Sequence, residues 1–269
     1  MTNKLIRLIV WGDFACFTRP ELKVERVSYP IMTPSAARGI LEAVYWEPQF
    51  HYLVREISSV KHRTNDGFDY GKGNWFSFRR NELQAVTSMS TAKSAMKGMQ
   101  APSKLYIHAG GGAEDATQRN TLALQRVAYL ITAEIHLSKI ADPARCNFQK
   151  YYDRFRSRAE KGKCFYRPCL GCREFAADFE WCENPNTLDY VPWEEDLGIM
   201  LYDVFDPAMR NQGFAWLKDE ELPSSKKKRK QRPFNGKLVK PQPVFFRAKI
   251  ESGKMNCHPD EVELLRSAA

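Results

Sequence analysis

The sequence predicts an α+β fold, with a ferredoxin-like N-terminal domain followed by a smaller β-rich C-terminal domain. Four strand patterns and two helix patterns are interspersed up to residue 161, and strand patterns dominate afterwards. The chain has 269 residues, 43% of them hydrophobic, which is enough to bury the core of one large or two modest domains. We expect the domains to span 1–163 and 164–255, with a tail over 256–269.

The first three elements are predicted to be strand, helix and strand. KLIRLIVW at 4–11 is apolar on both faces, which is typical of a central strand. TPS at 33–35 offers a helix N-cap with an early proline, and apolar residues then recur on one face over 35–46. FHYLVREISSVKH at 50–62 has a strand pattern.

The next elements are predicted to be strand, strand and helix. WFSFRR at 75–80 predicts a strand, and the polar segment 81–118 an extended loop or insertion. Its GGG at 110–112 lacks the lysine of a phosphate-binding loop. Residues 121–138 indicate one or two long strands, and 145–161 a basic helix. This order suggests the split βαβ arrangement of ferredoxin-like domains.

The C-terminal part is predicted to be mostly β. Its strand candidates are 164–181, 197–205 and 243–253, separated by proline, asparagine and charged residues. A basic loop is expected over 224–241. These strands would form a small second sheet.

Charge is distributed unevenly along the chain. The formal net charge is +9, yet 143–173 carries nine basic and two acidic residues, and 226–249 ten basic residues and no acidic one. Residues 174–222 contain thirteen acidic and two basic residues. Clustered cations indicate a polyanionic partner, and aromatic residues interleaved with the cations of 143–173 favour RNA. For KKKRKQR at 226–232, a solvated loop remains an equal alternative.

The seven cysteines are odd in number and scattered, which favours a reducing compartment and a cytoplasmic, soluble chain. No apolar run approaches the roughly 18 residues of a membrane span, and no signal peptide is expected. CLGC at 169–172 has the spacing of half a zinc site, but buried thiols are the favoured interpretation. We predict no metal and no cofactor.

Four segments carry a family resemblance: GDFACFTRPELKVERVSYPIMTPSAARGILEAVYW at 12–46, RNTLALQRVAYLITAEI at 119–135, KYYDRFRSRAEKG at 150–162 and PCLGCREFAADF at 168–179. Together they resemble the Cas5 family of subtype I-C CRISPR systems (Cas5d type), in the same order, and the likeness extends to about residue 205. The resemblance implies a metal-independent endoribonuclease of the RAMP superfamily that cuts CRISPR precursor RNA at the repeat hairpin. It also implies that the protein stays on the 5′ handle of the guide RNA as a subunit of the Cascade complex. Contact with double-stranded DNA is a further expectation.

The resemblance also assigns catalytic residues. The catalytic tyrosine of the family matches Tyr45, and a Lys-His pair matches Lys150 and Tyr151, so the histidine is replaced. We hypothesise that Tyr45 orients or deprotonates the 2′-hydroxyl, that Lys150 stabilises the phosphorane and protonates the leaving oxygen, and that Tyr151 hydrogen-bonds or stacks. Without the resemblance, Tyr45 would be interpreted as packing at a helix end. For Lys150, one more phosphate contact and a catalytic role would then be equal alternatives.

Candidate RNA contacts are eleven cations, seven of which lie within the two basic segments: Arg38, Arg79, Arg80, Arg119, Arg154, Arg158, Arg173, Lys226, Lys227, Lys228 and Arg229. For Arg38, a salt bridge within its helix is an alternative. Two other functions stay open: a non-catalytic subunit that binds the 5′ handle, kept open by Tyr151, and a generic ferredoxin-like RNA-binding protein.

Overall fold

The computed structural model describes residues 4–22, 24–83, 116–211, 214–216, 231–233 and 242–266. Its helices and strands are β1 (Ile6–Ala15), β2 (Arg26–Val27), α1 (Pro34–Val44), β3 (Phe50–Arg63), β4 (Asp69–Tyr70), β5 (Lys72–Leu83), β6 (Ala116–Leu137), α2 (Phe148–Ala159), β7 (Asp178–Trp181), a 3₁₀ turn (Pro185–Thr187), β8 (Asp189–Tyr190), β9 (Glu195–Asp203), α3 (Pro207–Arg210), β10 (Phe214–Trp216), β11 (Gln231–Pro233), β12 (Val244–Glu251), β13 (Lys254–Asn256) and β14 (Leu264–Arg266).

A mostly antiparallel sheet organises the molecule. Twelve strands belong to it, and its main path runs β14-β12-β13-β3-β6-β1-β7. β1 lies between β6 and β7, as predicted for a strand that is apolar on both faces. β12 pairs with β9 and joins β3 through β13, so strands from the C-terminal part continue the sheet of the N-terminal part. The α+β class is confirmed.

Two helices pack on this sheet. The hydroxyl of Thr33 caps α1 by accepting a hydrogen bond from the backbone N–H of Ala36 at 3.2 Å, and Pro34 occupies the first turn. The side-chain oxygen of Asn147 caps α2 in the same way, accepting from the N–H of Lys150 at 2.7 Å. Apolar faces of both helices enter one hydrophobic core, where each fully buried large side chain contributes about 1.5–3 kcal/mol.

The helix bounds differ slightly from the predicted 35–46 and 145–161. α1 ends at Val44 because Tyr45 adopts an extended backbone (φ −160°, ψ 128°), three residues before Pro48. α2 starts at Phe148 because Asn147 is its cap. Both predicted helices are therefore confirmed, with ends displaced by one to three residues.

The long ribbon of β5 and β6 corrects the predicted loop over 81–118. β5 pairs with the first half of β6, with Glu82 opposite Thr117, so residues 81–83 and 116–118 are strand. The second half of β6 lies between β1 and β3. Arg126, with φ 58°, lies between these two halves. Residues 84–115, the remainder of the predicted insertion, lie outside the described residues.

The predicted strand over 164–181 is wrong for most of its length, because only Asp178–Trp181 is strand. Gly171 has φ +87°, which turns the chain, and a Cβ there would lie 2.1 Å from the carbonyl oxygen of Cys16. The other two candidates are confirmed as β9 and β12. Within the predicted basic loop over 224–241, residues 231–233 form β11 and the others lie outside the described residues.

None of the helices described is long and apolar enough to cross a membrane. All seven cysteines are free thiols. Cys16 and Cys257 are fully buried, whereas Cys169 and Cys172 of the CLGC segment, for which the sequence favours buried thiols, are only partly buried.

Candidate active site

Tyr45 lies where the end of α1 meets α2. Its ring packs against Phe50 of β3, with the ring centroids 5.5 Å apart, and its carbonyl oxygen accepts a hydrogen bond from the hydroxyl of Tyr52. Only 4% of the residue is exposed. Three elements, α1, β3 and α2, therefore hold this side chain in one position.

Two charged side chains meet the Tyr45 hydroxyl. The hydroxyl donates to the carboxylate oxygen Oε1 of Glu47 at 2.6 Å and accepts from Nη1 of Arg154 at 3.4 Å. The same Nη1 lies 3.1 Å from Oε1 of Glu47, which closes a triangle of contacts. Arg154 and Glu47 are more exposed than Tyr45, so a ligand would reach the hydroxyl from their side.

This environment keeps Tyr45 protonated. Burial, followed by the hydrogen bond to Glu47, raises the pKa of Tyr45 to about 12, although Arg154 opposes the rise. The nearby cation therefore does not bring this pKa below its ordinary value, because the carboxylate and the burial outweigh the guanidinium. A neutral hydroxyl with a carboxylate acceptor can take a proton only by passing its own proton on.

The exposed face of α2 supplies a row of cations. Lys150, Arg154 and Arg158 are spaced by four residues, so they follow one another along one side of the helix. Nε of Arg158 donates to the carbonyl oxygen of Val44 at 2.8 Å, which ties the last turn of α2 to the end of α1. Positive charge is thus concentrated beside Tyr45.

A family model described as CRISPR-associated protein (Cas_Cas5), of the Cas5d type, matches residues 5–258 of this chain. The chain belongs to the Cas5d family. The resemblance carried by the four sequence segments is thereby confirmed.

Two relatives and one solved structure are similar to this Cas5d-family chain. It is 41% identical to the CRISPR pre-crRNA endoribonuclease Cas5d of Mannheimia succiniciproducens, over 76% of this chain and 86% of that protein. It is 36% identical to the protein of the same name from Thermus thermophilus, over 92% of this chain and 89% of that protein. A solved structure described as that of a CRISPR-associated protein has the same fold, with a TM-score of 0.55 at 18% identity, over 94% of this chain and 91% of that chain.

Lys150 and Tyr151 point in different directions from α2. Nζ of Lys150 lies 3.4 Å from the carbonyl oxygen of Arg145 and 5.6 Å from the ring centroid of Tyr151. Tyr151 is 1% exposed and packs on Phe50, with centroids 4.7 Å apart, so its ring belongs to the core of this Cas5d-family protein. Burial also raises the pKa of Tyr151. This tyrosine can support Lys150, but solvent does not reach it.

The other predicted RNA contacts lie on different elements. Arg79 and Arg80 lie on β5, where Arg80 is opposite Arg119 of β6, and Arg173 is exposed after Gly171. Arg38 is only 14% exposed and pairs with Asp203 at 2.8 Å and with Glu42 at 2.7 Å, the salt bridge within the helix considered as its alternative. Lys226, Lys227, Lys228 and Arg229 lie outside the described residues.

The CLGC segment packs against the end of β1. Its Cys172 thiol donates to the carbonyl oxygen of Cys16 at 3.5 Å, and the hydrogen bond with the Cys16 side chain lowers the pKa of Cys172 to about 6. Among the residues that the structure describes, no group of three or more His, Cys, Asp or Glu side chains is placed to hold a metal ion.

Sequence reasoning missed Glu47. Its partner Arg154 lies 107 positions further along the chain, so the pair exists only once α2 has packed beside α1. The signal that could have found it is local: an acidic residue two positions after the predicted catalytic tyrosine, directly before a proline.

Proposed function

We propose that this protein is a metal-independent endoribonuclease that cleaves CRISPR precursor RNA at the repeat hairpin and stays on the 5′ handle of the guide RNA as a subunit of the type I-C Cascade complex. The observation that carries the proposal is the Tyr45 hydroxyl, held between Glu47 and Arg154 beside a row of cations. The two relatives, at 41% and 36% identity and named pre-crRNA endoribonucleases, support the RNA substrate. A contact with double-stranded DNA and a cytoplasmic location remain predictions, and the seven free thiols suit the latter.

The first step of the proposed reaction starts at Tyr45. The hydroxyl oxygen of Tyr45 accepts a hydrogen bond from Arg154 at 3.4 Å. A substrate 2′-hydroxyl would donate to this oxygen in place of Arg154. The scissile phosphate attracts Arg154, which leaves that position to the 2′-hydroxyl. The 2′-oxygen then attacks the adjacent phosphorus, its proton passes to the oxygen of Tyr45, and the proton of Tyr45 passes to Glu47.

The second step breaks the bond between phosphorus and the 5′-oxygen. Lys150 and Arg154 lie one helical turn apart and face the negative charge of the phosphorane. The Lys150 ammonium gives a proton to the leaving 5′-oxygen, so the products are a 2′,3′-cyclic phosphate and a 5′-hydroxyl. Tyr151 is a positioning residue in this scheme: its ring, 5.6 Å from Nζ, supports Lys150 from the core side.

A ferredoxin-like N-terminal domain is part of the proposal. The elements β1-α1-β3-β6-α2-β7 follow the βαββαβ order, and their strands lie in the antiparallel order fourth, first, third, second, which supports that fold. The fourth strand, β7, comes from beyond residue 163. The division into 1–163, 164–255 and the tail 256–269 stays a prediction.

The test is cleavage of the cognate repeat RNA by the purified protein in EDTA, with the product ends identified. We expect a 2′,3′-cyclic phosphate upstream and a 5′-hydroxyl downstream, and strongly reduced cleavage by Tyr45→Phe and by Lys150→Ala. Undiminished cleavage by both variants would overturn the assignment of these residues.

A non-catalytic handle-binding subunit is the second candidate. The observation in its favour is that Tyr151, at the position of the family histidine, is buried, and that Tyr45 is 4% exposed. Tight binding of repeat RNA by the wild-type protein with no cleavage under any condition would support this candidate.

A further inference from the structure

Phe165 is a large apolar side chain that remains exposed beside the candidate active site. It follows α2 and a turn at Gly162, and 62% of the residue is accessible to solvent. Its ring stacks on the ring of Tyr45, with centroids 6.3 Å apart and an interplanar angle of 19°. A single exposed apolar side chain is ordinary at a protein surface, so the contacts that hold this ring beside Tyr45 are what distinguish it.

Two further contacts fix Phe165. Its backbone N–H donates to the carbonyl oxygen of Ala43 at 2.7 Å. The guanidinium of Arg158 lies 4.3 Å from the ring centroid, and this guanidinium is itself held by the carbonyl oxygen of Val44. The ring is therefore preorganised at the end of α1 while a large part of it stays open.

The surroundings of Phe165 select a ligand that combines a flat apolar face with negative charge. Arg158 touches the ring, and Lys161 and Lys163 lie in the turn just before it. An unpaired nucleotide has both properties: its base stacks on an aromatic ring and its phosphate attracts cations. An acidic protein segment would match the charge but would leave the flat ring without a partner of matching shape.

We propose that Phe165 is a stacking platform for one unpaired nucleobase next to the scissile phosphate. The inference rests on the proposed function, since it places the base by the contact of Phe165 with Tyr45. It adds a base-binding subsite to the cleavage site. Stacking there orients the nucleotide that presents its 2′-hydroxyl to Tyr45.

The experiment uses 2-aminopurine, whose fluorescence falls when it stacks. It is placed singly at each unpaired position around the cut, in repeat RNA with a 2′-deoxy nucleotide at the cut so that no cleavage occurs. We expect quenching at one position with the wild-type protein, loss of that quenching with Phe165→Ala, and its return with Phe165→Trp. Affinity for the RNA should fall roughly tenfold in Phe165→Ala, as expected for one stacked base.

Tyr166→Ala is the matched control, because Tyr166 is the next residue and its side chain is similarly exposed at 59%. It should leave the quenching unchanged, and thermal unfolding should show that both alanine variants are folded. Equal quenching in the wild type and Phe165→Ala, or no quenched position, would overturn the platform. If the wild-type protein does not cleave natural RNA but quenching depends on Phe165, the platform stands and the nuclease proposal fails.

Discussion

The hydroxyl of Tyr45 lies 2.6 Å from the carboxylate of Glu47, two residues further along the chain. A tyrosine with a reference pKa of about 10 is a poor base alone, because it would first have to lose its proton. With a carboxylate as acceptor, the hydroxyl can receive one proton while giving up another. The geometry thus offers a route for base catalysis without the family histidine.

The first prediction concerns Glu47. Glu47→Gln keeps an oxygen that accepts from Tyr45 but removes the charge that takes the proton. We expect single-turnover cleavage to slow by about 100-fold, the lower end of the range for general bases, with little change in affinity for RNA that is 2′-deoxy at the cut. Glu160→Gln serves as control, since Glu160 lies at the C-terminal cap of α2 and pairs with Arg156 of that helix. A rate within about twofold of the wild type would rule out the relay.

The second prediction concerns alkaline stability. The pKa of Tyr45 is raised to about 12 in the folded protein, against about 10 in an unfolded chain. The folded state therefore holds this proton more tightly than the unfolded state does. The contribution of this proton to the free energy of unfolding is fully present below about pH 10 and is lost as the pH rises to about 12. Tyr45→Phe has no such proton. In urea titrations, the wild type should lose more unfolding free energy than Tyr45→Phe between those pH values; equal losses would contradict the assigned shift.

The third prediction separates Arg38 from RNA binding. Its guanidinium pairs with Asp203, whose side chain is 6% exposed, and the Arg38 and Arg210 charges hold the pKa of that carboxyl below its ordinary value despite its burial. Arg38→Ala leaves a buried carboxylate with one fewer partner and should lower the free energy of unfolding by about 3 kcal/mol. RNA affinity of the folded variant should be unchanged. Arg79→Ala, at an exposed strand position, is the control for stability. A stable Arg38→Ala variant with weakened RNA binding would restore Arg38 as an RNA contact.

The fourth prediction concerns salt dependence. If Arg154 contacts a phosphate, Arg154→Ala should weaken RNA binding and reduce the slope of log affinity against log salt by about 1. Lys249→Ala is the comparison, since Lys249 pairs with Glu251 on the exposed side of β12. A slope that is the same for the wild type and Arg154→Ala would show that Arg154 does not meet a phosphate.

Local chemistry explains which parts of the structure could be predicted. The start of α1 and the position of β1 depend on consecutive residues only. The TPS cap predicts the first, and the apolar pattern on both faces predicts the second. The four-residue spacing of Lys150, Arg154 and Arg158 likewise shows a shared helix side. The contact between Glu47 and Arg154 could not be foreseen, because it depends on how α1 and α2 pack. The irregular path of 164–177 does not follow from the sequence pattern, because its aromatic and apolar residues have the composition of a strand. The left-handed backbone of Gly171 turns the chain there instead.

Two glycines in the segment after α2, Gly162 and Gly171, differ in which side chains could replace them. Gly162 has φ +60°, but a Cβ added there would meet no atom within 4 Å, so asparagine or aspartate, which accept left-handed backbone, would fit at small cost. Gly171 combines φ +87° with a backbone carbonyl, that of Cys16, only 2.1 Å from where its Cβ would lie. In a library that places all amino acids at each position and is selected for folded protein, several residues should be found at position 162. Only glycine should be found at position 171.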